Sequence, residues 1–156
     1  MKQEIERKFL VSGDSWRAVA GNGTACCQGY ITAGKDGATV RVRLRGSQGF
    51  LTVKGRTAGI SRPELEYEIP AEDAEYMIKN LCSAGLIFKK RYTLEACGQH
   101  WEIDEFSGLN EGLIVAEIEL EAEDQSFGKP DWLGREVSFD PRYSNAALAR
   151  NPFGQW

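Results

Sequence analysis

Residues 4–8 read Glu-Ile-Glu-Arg-Lys and run straight into Phe9-Leu10-Val11. As a β-strand, this stretch sends Glu4, Glu6 and Lys8 to one face and Ile5, Arg7 and Phe9 to the other, because side chains alternate with period two. Two carboxylates and an ammonium on a wet face cost little. Enclosed in a protein they need a metal ion, an anionic ligand or one another. Whether that face is wet or enclosed decides the fold.

The rest of the chain repeats the pattern. Thr39–Arg45 (TVRVRLR) alternates without a break, with Arg41, Arg43 and Arg45 opposite Val40, Val42 and Leu44. After a Gly46–Gly49 turn, Phe50–Lys54 returns with Thr52 and Lys54 on the polar side. Glu64, Glu66 and Glu68 then share a face opposite Leu65, Tyr67 and Ile69, following a Gly-rich loop over 55–61. Leu86–Ala96 carries Lys89 and Arg91 together, Trp101–Asp104 carries Glu102 and Asp104, and Leu113–Glu121 carries Glu117, Glu119 and Glu121. Cys26–Thr32 reads as a further strand, with a turn at Ala33–Gly37 after it. Two helices interrupt the strands early on: a short one over Ser15–Ala20, and one over Glu72–Ala84. In the latter, Ala74, Met77, Ile78 and Leu81 fall at helical spacing and Gly85 is the stop. The tail holds a short strand near Glu136 and a last helix over Asn145–Arg150.

Seven or eight antiparallel strands, each apolar on one side and charged on the other, leave two architectures. One is an open sheet or sandwich whose charged face meets water. The other is a barrel turned inside out, with a charged lumen and an apolar exterior covered by helices. A solvated face mixes Thr, Ser, Gln and Lys, whereas here Arg, Lys and Glu dominate and the signs sort by strand. Like charges at adjacent positions on one face are unfavourable unless opposite charges or a ligand lie across from them. The sorting favours the enclosed reading. The three helices cover only part of such an exterior, so a homodimer interface is expected to cover more.

The chain has 156 residues, 42% of them hydrophobic, with no internal repeat or linker, and reads as one domain over 1–156. The net charge of −4 and the lack of an aromatic platform on the Arg-rich face argue against nucleic acid. No basic and apolar leader opens the sequence, and no apolar run approaches the ~18 residues that span a bilayer, so a cytoplasmic protein without membrane attachment is expected. Cys26, Cys27, Cys82 and Cys97 form no CxxC pair, and His100 is the one histidine, so zinc is not expected. Phosphate-loop, HExxH, EF-hand and GxSxG motifs are absent.

Glu4-x-Glu6-x-Lys8 resembles the ExExK signature of the CYTH superfamily, the triphosphate tunnel metalloenzymes. Further elements stand in the family's order. They are RVRLR (41–45 with its flank), LTVK (51–54), the acidic strand at 64–68, Lys89-x-Arg91, Asp104, VAEIE (115–119) and the RYxNxxLA tail at 142–149. They span essentially the whole chain, which is similar to the small branch without an appended helical domain. The resemblance implies a mostly β (α+β) fold, a closed eight-stranded antiparallel barrel forming a tunnel, with a few helices outside. It implies that Lys8, Arg41, Arg43, Lys54, Lys89 and Arg91 hold phosphate oxygens. Glu4, Glu6 and Glu119 would bind Mg²⁺ or Mn²⁺, with Glu64, Glu66, Asp104 and Glu117 as supporting acids. Catalysis would fall to Glu6, Lys8, Glu66 and Glu119.

The expected activity is metal-dependent hydrolysis of a small triphosphate, with inorganic tripolyphosphate ahead of nucleotides because no base pocket is legible. A metal, or a carboxylate such as Glu66 or Glu119, would orient the attacking water. Cyclisation of ATP to cyclic AMP is an alternative that the same family supports. A non-catalytic polyphosphate-binding module is another, and the acidic residues speak against it.

Overall fold

The computed structural model describes residues 1–33 and 37–156. The turn expected at Ala33–Gly37 falls largely on 34–36, outside the described residues. The strands are β1 (Lys2–Val11), β2 (Thr24–Ala33), β3 (Thr39–Arg45), β4 (Gln48–Lys54), β5 (Ser61–Ile69), β6 (Ile87–Ala96), β7 (Gln99–Phe106), β8 (Ile114–Glu119) and β9 (Leu133–Glu136). They hydrogen-bond in the order β5-β4-β3-β2-β6-β7-β8-β1-β9, and an added β5–β1 pairing closes the first eight into an antiparallel barrel. The wet open sheet is thereby excluded.

β1 is the closing strand. One edge pairs with β8, Glu6 opposite Glu119 and Lys8 opposite Glu117. The other edge is divided: Lys2 to Ile5 face β5, and Phe9 and Val11 face β9. Between β3 and β4, Gly46 takes φ 59, a left-handed conformation that costs a glycine nothing. The pair then runs in register from Arg45–Gln48 to Thr39–Lys54.

Three apolar clusters cover the barrel. Helix α1 (Ala71–Asn80) lays Ala74 and Ile78 on Val42, with Leu44, Leu51 and Ile69 around them. It is shorter than the expected Glu72–Ala84 span. After Leu81 the backbone bonds elsewhere, Ser83 N–H donating to Tyr30 C=O and Gly85 N–H to Ala149 C=O. A second cluster on the outside of β1, β6, β7 and β8 gathers Phe9, Trp101, Ile103, Ala116 and Ile118 beneath Trp16, Phe127 and Trp132. Trp101 meets Phe9, Phe127 and Trp132 edge to face. Trp16 comes from a single 3₁₀ turn (Ser15–Ala18) where a short helix was expected. Phe127 and Trp132 come from irregular chain. Loops thus cover much of the outside that helices were expected to cover. Leu65 and Tyr67 on β5 stay exposed, at 42% and 56%.

The third cluster lies at one end of the barrel. There Tyr30, Ile87, Phe106 and Val115 pack under Val137, Tyr143, Leu148 and Ala149. By strand alternation these four belong to the charged face, so the lumen becomes apolar where the C-terminal segment and α2 (Asn145–Arg150) rest on it. Among the described residues no helix is long and apolar enough to cross a membrane.

Candidate functional site

The barrel encloses a cavity of about 710 Å³. Gln99, His100 and Glu102 from β7, Thr57 and Gly59 from the loop before β5, and Asn145 and Arg150 from the C-terminal helix line it. Its walls carry Glu4, Glu6, Lys8, Arg41, Arg43, Lys54, Glu64, Glu66, Lys89, Arg91, Glu117 and Glu119. Every candidate residue except Asp104 therefore lines one space. Asp104 is fully buried behind Lys89 and Arg91. The ring order sets β3, with its arginines, four strands from acidic β8 in either direction, and acidic β5 four strands from Lys89 and Arg91 on β6. Opposite charges thus face each other across the lumen.

On β1, Lys8 Nζ lies 2.5 Å from Glu117 and 3.1 Å from Glu6. Burial opposes its charge, but those two carboxylates raise its pKa well above the lysine range. Glu4 accepts from Lys54 Nζ on Oε1 and from Arg62 Nε on Oε2, both at 2.7 Å. Burial alone would raise its pKa; Lys54 and Arg62 outweigh it and lower it to about 2. Glu64 shares Lys54 at 3.0 Å. Burial and the neighbouring Glu4 push its pKa up, the mark of two carboxylates crowded together.

On β3, Arg41 and Arg43 both rest on Glu66 Oε2, at 3.0 and 3.3 Å, and Thr52 donates to the same oxygen at 2.6 Å. Oε1 of Glu66 accepts from none of the three. Arg41 Nε and Arg43 Nε are buried and have no hydrogen-bond partner among the described residues. Burial and the nearby charges of Arg41 and Arg91 lower Arg43's pKa to about 10.

On β6, Arg91 is saturated. It forks onto Asp104 at 2.7 and 2.8 Å and reaches Glu102 at 2.5 Å and Glu117 at 3.3 Å. Lys89 Nζ lies 2.6 Å from Asp104 and 3.1 Å from Asn145 Oδ1. Burial and Arg91 outweigh Asp104 there and lower Lys89's pKa to about 8. Glu119 stands at the rim, its side chain 55% exposed, paired with Lys2 at 2.7 Å.

Further residues join the candidates in the cavity wall. Arg62 is the second residue of β5, between the loop expected over 55–61 and the acidic strand expected from Glu64. The parity Arg62-Glu64-Glu66 was the available signal. Tyr30 also lines the cavity, and its hydroxyl accepts from Nε2 of fully buried Gln28 at 3.0 Å. Burial keeps that hydroxyl protonated. Asn145, the Asn of the RYxNxxLA tail, is carried to the cavity by the C-terminal segment, where its Oδ1 accepts from Lys89. His100, the one histidine, is an exposed rim residue whose Nδ1 lies 2.6 Å from Glu95.

The chain is similar to known proteins. An inorganic triphosphatase of Acetivibrio thermocellus is 52% identical over 153 residues, covering 98% of this chain and 97% of its own. One from Nitrosomonas europaea is 37% identical over 149 residues, covering 94% and 96%. The crystal structure of the inorganic triphosphatase NE1496 superposes with a TM-score of 0.67 at 34% identity, covering 96% of this chain and 95% of that one. The CYTH domain family matches residues 2–146, which include every strand of the closed barrel and all the charged candidate residues on them, and the chain belongs to that family.

Proposed function

We propose that this protein hydrolyses inorganic triphosphate to pyrophosphate and phosphate, using Mg²⁺ or Mn²⁺. The observation that carries the reading is the pair of buried arginines on β3. Arg41 and Arg43 divide one carboxylate between them and keep buried Nε–H donors unused, in a cavity whose far wall is acidic. Buried donors without partners are costly, and a phosphate oxygen is the acceptor that fits a guanidinium fork.

The acids suit a divalent cation in kind, because every donor is a carboxylate oxygen. The crowding of Glu64 by Glu4 is strain that such a cation relieves. Among the described residues no three of these groups form a ready ligand set, and their oxygens rest instead on lysine and arginine. Glu4, Glu6 and Glu119 would hold the metal, with Glu64 and Glu117 beside them. When bound, it supplies positive charge at the phosphate oxygens.

Lys8, Arg41, Arg43, Lys54, Lys89 and Arg91 bind the triphosphate and absorb the charge that grows on the departing pyrophosphate. Asp104 anchors Lys89 and Arg91. Glu66, with Oε1 left over, orients the attacking water and takes its proton; Glu119 plays a lesser part from the rim. Lys8, bridging Glu6 and Glu117, ties the metal side of the site to the phosphate side.

Phosphate release from tripolyphosphate, measured with Mg²⁺ or Mn²⁺ and again with EDTA, tests the reading. Release that depends on the metal supports it. Tight binding without turnover under either metal would leave a binding module, and cyclic AMP plus pyrophosphate from ATP would make the protein a cyclase.

A further inference from the structure

Arg62 is the Cα partner of Glu4 across the seam where β1 meets β5. Its Nε donates to Glu4 Oε2 at 2.7 Å, and its Nη2 lies 3.9 Å from Glu6 Oε1. Lys54, from β4, takes the other oxygen of Glu4. Both oxygens of this carboxylate are therefore engaged by cations from two different strands. A metal ion that binds Glu4 has to compete for an oxygen that already accepts a charge-assisted hydrogen bond. Arg62 is also the cation best placed to give way. Its side chain is 26% exposed in the cavity wall, against 8% for Lys54, and a guanidinium that leaves a carboxylate can fork equally well onto a phosphate.

We propose that Arg62 is an exchangeable counter-ion that makes metal binding depend on triphosphate. Without triphosphate it holds Glu4 and leans on Glu6, weakening their hold on a divalent cation. With triphosphate in the lumen its N–H groups pass to phosphate oxygens, and Glu4 is released to the metal. Linkage then requires the metal to tighten triphosphate binding by the same factor. The inference rests on the metal assignment to Glu4 and Glu6 made above. A purely structural Arg62 would stitch β1 to β5 and leave metal affinity alone.

Mn²⁺ titration of the purified protein without triphosphate, followed by the electron paramagnetic resonance signal of free Mn²⁺, reads the effect without any turnover. A net charge-assisted hydrogen bond is worth enough to change affinity by about tenfold. Arg62→Gln is therefore expected to bind Mn²⁺ about 10-fold more tightly than the wild type, and Arg62→Lys, which keeps the charge, by a smaller factor. Arg45→Gln removes another cation of the cavity wall, one stacked on Phe50 and bonded to neither Glu4 nor Glu6, and so controls for charge alone. Circular dichroism checks that each variant folds. If Arg62→Gln binds Mn²⁺ no more tightly than Arg45→Gln, the inference is overturned while the metal assignment stands. If Glu4→Gln and Glu6→Gln bind Mn²⁺ as the wild type does, the metal assignment itself fails.

Discussion

Two walls of the cavity carry arginines and treat them differently. On β6, Arg91 has three carboxylates, Asp104, Glu102 and Glu117, and its pKa is driven well above the arginine norm. On β3, Arg41 and Arg43 have Glu66 between them, and Arg43's pKa falls to about 10. A saturated arginine spends its N–H donors on the framework first and meets an anion only by sharing them. An undersupplied one is held in an unfavourable state by the fold around it and gains most when an anion arrives. The same residue type thus builds the site on one wall and waits for the ligand on the other.

The bridge between the walls gives the largest expected effect. Lys8→Ala and Glu6→Ala are each expected to slow phosphate release from tripolyphosphate at least ~100-fold, since each removes a preorganised charge from the reacting region. A steady-state assay, with circular dichroism to confirm the fold, checks this; turnover within a few-fold of wild type would separate Lys8 and Glu6 from the chemistry.

The contrast between the arginines is tested by replacing each with Met. Arg91→Met leaves buried Asp104 to Lys89 alone and Glu117 to Lys8 alone, and is expected to cost about 3 kcal/mol of unfolding free energy. Arg43→Met removes a buried, underpaired cation and is expected to cost nothing or to gain about 1 kcal/mol, while weakening triphosphate binding about tenfold or more. Urea unfolding and isothermal titration calorimetry read the two quantities. Equal destabilisation by both substitutions would erase the distinction between the walls.

The smallest expected effect is a pH dependence on the framework wall. Lys89's pKa falls from the ordinary 10.5 to about 8 in the folded protein. Its charge is lost as pH rises through 8, so kcat/KM for triphosphate should fall above that pH by several-fold. Stability runs the other way. Between pH 8 and 10.5 the unfolded chain holds the proton that the folded chain has released, so this residue's contribution to stability rises with pH across that window. Lys89→Arg, which stays charged, should shift the falling limb of the pH profile upward; an unchanged limb would assign the titration to another group.

The barrel was legible because strand after strand declares its inner face. Arg41-x-Arg43-x-Arg45 and Glu64-x-Glu66-x-Glu68 have no other economical burial, and the sorting of sign by strand states that opposite walls exist. The ends of elements were less legible. Helix α1 stops at Asn80 although the periodic pattern runs on, because Ser83 and Gly85 find backbone acceptors on β2 and α2. Those acceptors lie more than fifty residues away in either direction, beyond any local signal. Arg62 stands next to Pro63, which donates no ladder hydrogen bond yet lies within β5 opposite Gln3. Pairing among the cations was not legible at all. That Arg91 is saturated and Arg43 is not depends on side-chain reach across strands, which alternation does not encode.

The divided edge of β1 also bears on how the molecule folds. Glu4 meets Arg62 across 58 residues, Lys8 meets Glu117 across 109, and Arg7 meets Glu136 across 129. Loop-closure entropy has to be spent before such distant pairings reward it, so a strand joined only to remote partners closes late and slowly. Glu4, Glu6 and Lys8 all lie on that strand. A chain in which β1 has not yet closed would have no assembled site, and recovery of activity during refolding is expected to track the closing of the barrel itself.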